Sequence, residues 1–377
     1  STGKSAIRPI RAFDTDGYTS RIAGEVPEFD ASEWAPKREV SRMDRFTVLA
    51  IGATSDALKD AGIAMRDRGG DLAGHLEPKD IAAERVGCFI GSGIGGLSEL
   101  ETQKRRLLEK GPKRVSPFLI PKMMANSASG IASVLFGFAG PNASVVTACA
   151  SASHPIGEGA KYIVDGSVDM MITGGSEACV TPLGVAGFCS LKALSTRNDD
   201  PEAASRPFDK ERDGFVIAEG AAVIVLEELE HAKARGAKIY AEFRGYGASC
   251  DAFHITQPSP DGAGAARAMK MAMDNGGLKP EEITYINAHG TSTYFNDRVE
   301  TLAIKKALGE DAAAKVAVSS TKSMIGHTLG AAGALGLVST AKSIETDLVA
   351  PTINQQTPDP DCDLDYVPNE ARKMKVR

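Results

Sequence analysis

The sequence predicts a layered α/β fold in two related halves, residues 1–237 and 238–377. Three observations predict it. Apolar runs of strand length alternate with longer amphipathic or charged stretches, the pattern of strands covered by helices. The pattern restarts near residue 238, after a charged stretch closed by Gly236. Each half also sets a reactive residue just past a strand-like run and before a helix-like one: Cys149 in the first, His289 and His327 in the second. At 377 residues, 42% apolar and 24% charged, the chain has the size for two domains or one large pseudo-symmetric body.

In chain order, residues 1–40 are loop-rich, with Pro9, Pro27 and Pro36. Lys37, Arg38, Arg42 and Arg45 precede an amphipathic helix over 46–61 and read first as a solvated edge. Residues 66–80 read as a surface loop. A buried strand over 86–90 runs into glycines 91, 93, 95 and 96. That turn superficially resembles a dinucleotide-binding loop, but a charged helix over 98–108 follows where a second strand ending in an acid is required. It reads instead as a tight strand-to-helix turn beside a pocket. The small apolar stretch 130–140 is expected to be buried. Cys149 lies between it and a helix over 156–164. A strand over 170–177 ends in Gly174-Gly-Ser-Glu177. A polar loop, 206–215, precedes the apolar run 221–226 and a charged helix over 227–235. The second half reads as strand 239–245, a loop with His254, helix 262–275, strand 283–289, helix 297–308, strand 316–319 and a small-residue helix from 330. A polar loop, 358–365, lies near the end.

The bulk numbers exclude several classes. A net charge of −6 and a pI of 5.7 speak against a general nucleic-acid binder. No apolar stretch reaches the roughly 20 residues of a membrane span, and the first residues show no signal-peptide pattern. The six cysteines (88, 149, 179, 189, 250, 362) form no CxxC pair and read as free thiols of a reducing cytoplasm. The six histidines form no HxxxH pair, so no metal site is expected.

Cys149 is the candidate nucleophile, because a thiol at a helix start is made more acidic by the helix dipole. His289 and His327 both follow strand-like runs, and Lys322 stands five residues before His327, able to anchor the site electrostatically. His75, His154 and His231 read as surface or helix residues. A cysteine with one histidine suits amide or ester hydrolysis, but the papain-type cysteine signature is absent and hydrolysis gives a second histidine no task. Carbon–carbon bond formation does. With an acyl group on Cys149, two neutral imidazole N–H donors can hold the oxygen of a second thioester and stabilise the enolate formed as CO₂ leaves.

Three motifs then carry a resemblance: Thr147-Ala-Cys149-Ala-Ser151, Asn287-Ala-His289-Gly-Thr-Ser-Thr293, and Ser320-Thr-Lys322-Ser-Met-Ile-Gly-His327-Thr-Leu-Gly330. With stretches 41–46, 91–97, 205–215 and 351–354 they resemble the β-ketoacyl-acyl-carrier-protein synthases of type II fatty acid synthesis, over essentially the whole chain. The resemblance implies a thiolase-like five-layer α-β-α-β-α stack of two pseudo-symmetric halves, with the family's terminal elements absent from both ends. It implies a cytoplasmic homodimer that does not act on nucleic acid or membranes. The implied partner is acyl carrier protein, whose phosphopantetheine arm enters as substrate, with no resident cofactor. Cys149 would be the nucleophile, His289 and His327 the decarboxylation pair, and Lys322 their electrostatic anchor. Thr291 and Thr293 match arm-binding positions, and Phe188 and Ile94 positions near the acyl pocket. Lys113, Arg114 and Lys192 match carrier-protein docking positions, which Arg42 and Arg45 extend. The family's Gly-Phe-Gly-Gly loop, which supplies a second oxyanion N–H, would follow Arg377. Gly336 stands where the family usually has a glutamate that orders the Lys322 network, and Pro155 is tolerated in a helix's first turn. The other readings are a ketosynthase of a specialised polyketide or lipid pathway, a thiolase with a second cysteine as base, and a non-catalytic carrier-protein-binding relative.

Overall fold

The computed structural model describes residues 3–27 and 31–377. Residues 1–2 and 28–30 of the loop-rich N-terminal stretch lie outside the described residues.

The first half is built on a four-stranded sheet with the order Asn142–Ala143, Val86–Gly91, Met170–Glu177, Gly220–Glu227. The first three strands are parallel and the fourth is antiparallel. Every residue of Val86–Gly91 and Met170–Glu177 is buried, as continuous small and apolar runs require when helices cover both faces. Arg45–Asp60 and Ser127–Phe136 cover one face; Asp44 caps the former by accepting from Phe46 N–H. Phe46 and Phe136, at 0% and 2% exposure, lie in that core, and each such side chain contributes about 1.5–3 kcal/mol.

The other face carries Ser153–Val164 and, from the second half, Ala332–Thr346. These two helices form the middle layer. They approach closely at Gly333, where a Cβ would stand 2.1 Å from Ser153 Oγ and 3.1 Å from Ser153 N. Beyond them lies a parallel pair, Tyr285–Asn287 and Ala317–Ser319, then the outer helices Ala263–Gly276 and Tyr294–Leu308. The stack is therefore α-β-α-β-α. Pro155 sits in the first turn of its helix, where a missing N–H costs little.

Four expectations change. Residues 239–245 form no strand, because strand formation needs a neighbour; Ile239 and Phe243 are exposed there. The 66–80 loop contains a hairpin, Met65–Asp67 with Leu76–Pro78, in which Arg66 pairs with Glu77 across the strands. His75 is buried beside it at 8% exposure, not a surface residue. The polar 206–215 loop is also largely buried. Arg206 binds Asp209, while Arg212 reaches Asp297 and Asp359, so the loop's charges tie the two halves together.

Candidate active site

Cys149 lies in the short 3-10 turn Ala148–Ala150, ahead of the Ser153–Val164 helix. Ala148 adopts φ 51°, a left-handed conformation that costs a residue with a Cβ of order 1 kcal/mol. The same conformation recurs at Ser292 (φ 68°), between Thr291 and Thr293, and at Leu329 (φ 46°), two residues after His327. Three strained turns thus surround one site, held by the packed elements behind them.

These turns bring the predicted residues together. Cys149 Sγ lies 3.0 Å from His327 Nε2. The rings of His289 and His327 stand nearly perpendicular with centroids 5.3 Å apart. One donor atom each from Cys149, His289 and His327 falls within a 4.8 Å cluster. Lys322 is buried beside them at 7% exposure.

The hydrogen bonds fix the tautomer of His327. Leu329 N–H donates to Nδ1, so the neutral ring carries its proton on Nε2 and donates toward the sulfur. This also weighs against a metal ion, although three donors converge. Ligation through Nε2 would move the proton to Nδ1, against the Leu329 N–H, and the Lys322 ammonium opposes a cation.

Burial holds His289 down at about 3, and Lys322 pushes in the same direction. His327 is driven well below its ordinary value by burial, then by His289 and Lys322. Both rings are neutral at physiological pH. Lys322 is lowered by burial and supported by the charge of Glu300, then Cys149 and Asp297. Cys149 corrects the expectation from the helix dipole: burial raises its thiol above the ordinary value. Lys322 and the residue's own N–H pull the other way, and Glu177 adds to the rise.

Two carboxylates absent from the sequence reading complete the site. Glu300 accepts the N–H groups of His289 (2.6 Å) and Gly290 (2.7 Å). It supplies negative charge facing Lys322; at Gly336 a Cβ would lie 2.8 Å from Asn287 Oδ1. Glu177, fully buried, accepts from Ser92, Gly93, Ile94 and Gly330. The sequence held one clue: a carboxylate ending a strand of otherwise small and apolar residues is seldom buried without a cluster of donors.

Thr291 is buried, its hydroxyl 3.0 Å from that of Thr293, which also caps Tyr294–Leu308 by accepting from Asn296 N–H. Phe188 meets Phe215 edge-on, and Phe215 in turn meets His327. Ile94 is 41% exposed on the turn whose N–H groups Glu177 holds. Lys113, Arg114 and Lys192 are exposed. Arg42 lies over the Phe118 ring and pairs with Glu39. Arg45 is directed elsewhere: it grips Glu219 with two nitrogens and the Val26 carbonyl, so it brings little net charge to a docking rim.

A layered two-half fold whose turns converge on a cysteine and two neutral histidines defines a condensing enzyme of the thiolase-fold class. Residues 1–232 match the family described as "Beta-ketoacyl synthase, N-terminal domain" and residues 240–356 its "C-terminal domain". The chain belongs to the beta-ketoacyl synthase family. It is 51% identical over 374 residues to a "3-oxoacyl-[acyl-carrier-protein] synthase 2" of Synechocystis, covering 99% of this chain and 86% of that protein. A protein of the same description from Staphylococcus aureus is 48% identical, at 99% and 87% coverage. Among solved structures, a type II PKS acyl-carrier protein in complex with its ketosynthase superposes with TM-score 0.89 at 34% identity, covering 100% of this chain and 88% of that one. A beta-ketoacyl synthase from Burkholderia phymatum gives 0.88 at 37% identity, with 99% and 88% covered. Among the described residues, no helix is long and apolar enough to cross a membrane.

Proposed function

We infer that the protein is a β-ketoacyl-acyl-carrier-protein synthase of the elongating type, joining an acyl thioester to malonyl-carrier protein with loss of CO₂. The observation that carries this is Cys149 Sγ at 3.0 Å from the Nε2 of a neutral His327, with His289 beside both.

In the first half-reaction the Cys149 sulfur attacks the acyl carbonyl, the phosphopantetheine sulfur leaves and takes up the proton the Cys149 thiol gives up, and the Cys149 N–H faces the developing oxyanion. In the second, the bond from the malonyl α-carbon to its carboxylate breaks and CO₂ departs. The electron pair passes into the enolate, whose oxygen takes hydrogen bonds from the two imidazoles. The carbanion then attacks the Cys149 thioester, and the carbon–sulfur bond breaks to return the thiolate. Burial keeps both rings neutral, with Lys322 pushing the same way, so they donate hydrogen bonds without surrendering protons.

Thr291 and Thr293 are assigned to the phosphopantetheine arm, and Phe188 and Ile94 to the acyl pocket. Lys113, Arg114 and Lys192 are assigned to docking an acidic carrier protein, and Arg42 extends that patch. The arm enters as substrate, with no resident cofactor. A homodimer acting in the cytoplasm fits the same reading. The higher identity to the 3-oxoacyl synthases than to the polyketide ketosynthase favours fatty acid elongation over a specialised product. A thiolase is disfavoured because no second thiol joins the Cys149 cluster among the described residues. A non-catalytic carrier-binding role is disfavoured by the intact cysteine–histidine contact.

The test is release of labelled CO₂ from malonyl-carrier protein, with acylation of Cys149 followed by mass. His289→Ala and His327→Ala should each lower release by about 100-fold or more. Unchanged release in both variants overturns the assignment.

A further inference from the structure

Glu177 ends the central strand of the first-half sheet, fully buried, with no place in the steps above. Its two oxygens meet four donors from both halves of the molecule. Oε1 accepts the Ser92 hydroxyl at 2.8 Å and Ile94 N–H at 3.3 Å; Oε2 accepts Gly93 N–H at 2.7 Å and Gly330 N–H at 3.1 Å. Ser92 Oγ in turn accepts from Gly95 N–H. The contact is closed to side chains: a Cβ on Gly330 would lie 2.4 Å from Gly93 N and 2.6 Å from Glu177 Oε2.

Gly330 adjoins Leu329, whose N–H fixes the His327 tautomer. The His327 backbone itself is pinned through its N–H to Val216 and through its C=O to Ala218. What the carboxylate adds is a hold on the 329–330 turn, whose N–H aims the ring through Nδ1.

We propose that Glu177 is a positioning residue, tying the 92–95 turn of the first half to the 329–330 turn of the second and so setting where His327 stands against Cys149. The proposal rests on the condensing reading above. A buried acid beside a nucleophilic thiol runs against thiol activation, since its charge opposes the thiolate. Its place is explained by the four donors it gathers. Replacing it therefore has two opposite consequences: the sulfur ionises more readily, and His327 loses its register.

The test measures CO₂ release from malonyl-carrier protein and the pH profile of Cys149 alkylation by iodoacetamide, on purified protein whose folding is checked by thermal melting. Glu177→Leu removes both charge and grip. CO₂ release should fall about 100-fold, the cost of an ångström-scale misplacement. Glu177→Gln can keep an oxygen toward Gly93 and Gly330 and turn its amide to Ser92 Oγ. It should hold CO₂ release within about tenfold, the cost of one weak hydrogen bond, with the alkylation profile moved to lower pH because His327 stays and the charge is gone. Gly330→Ala attacks the contact from the other side with the charge kept; it should lower CO₂ release about 100-fold and, as the His327 N–H leaves the sulfur, move the alkylation profile to higher pH.

Unimpaired CO₂ release in Gly330→Ala overturns the proposal, as does unimpaired release in folded Glu177→Leu. If Glu177→Leu does not fold, Gly330→Ala decides. Wild-type protein that releases no CO₂ from malonyl-carrier protein would instead overturn the functional reading.

Discussion

His289 and His327 are the same residue type, 5.3 Å apart, and are held by different means. His327 is fixed through its ring, by Leu329 N–H on Nδ1 and the edge of Phe215, and its backbone leans on the first half through Val216 and Ala218. His289 is fixed through its backbone, whose N–H and that of Gly290 end on Glu300 of the helix that follows. One donor is thus held by both halves of the molecule, and the other through its own half. Two donors with separate supports can face one oxygen without either half carrying the whole alignment.

The largest effect that sharpens this contrast is on the sulfur. His327→Ala removes the N–H donor at 3.0 Å and should slow iodoacetamide alkylation of Cys149 about tenfold, as loss of a charge-assisted hydrogen bond predicts. His289→Ala should leave alkylation close to wild type. Equal alkylation rates in the two variants would erase the distinction.

Next comes Glu300→Gln, which weakens the grip on the His289 and Gly290 N–H groups and removes the charge facing Lys322. It should lower stability in denaturant by about 1–3 kcal/mol, the cost of hydrogen bonds to a charged group, and reduce CO₂ release with a smaller change in alkylation than His327→Ala gives. Alkylation slowed as much as in His327→Ala would place Glu300 behind His327 as well.

The pH dependence of folding gives a third comparison. His289 titrates at about 3 in the folded chain against an ordinary 6.5. Between those values the unfolded chain binds more protons, so stability is full above 6.5 and declines as pH falls toward 3. The slope is at most about 1.4 kcal/mol per pH unit for each histidine. His327 adds a decline of the same sign. Melting curves of His289→Asn should therefore lose stability more gently than wild type between about pH 4 and 6, and parallel curves would contradict the shift.

The smallest effect belongs to Phe215→Leu, which removes the aromatic edge 5.2 Å from His327 at a cost of about 0.5–1.5 kcal/mol. CO₂ release should fall a few-fold and the His289 contribution to the pH curve should stay unchanged.

The layered fold and the residues that converge were legible in the sequence for a shared reason. Buried strands such as Val86–Gly91 advertise themselves by composition, and Cys149, His289, Lys322 and His327 carry their chemistry in their own side chains. Glu177 and Glu300 showed no role in the sequence, because what they bind is mostly backbone N–H, brought from distant loops for Glu177 and from the turn before its own helix for Glu300, and backbone leaves no mark on sequence. The 239–245 stretch misled for a related reason: apolar alternation gives strand propensity, but a partner must exist for the strand to form. The Cys149 thiol misled because a helix start was weighed without burial, and burial wins.

The most direct measurement separates the two half-reactions in Cys149→Ala. Acyl transfer should vanish, since the attacking sulfur is gone. CO₂ release from malonyl-carrier protein should persist, because the enolate is held by His289 and His327 and not by the thiol. Loss of both activities together in folded Cys149→Ala protein would contradict the account.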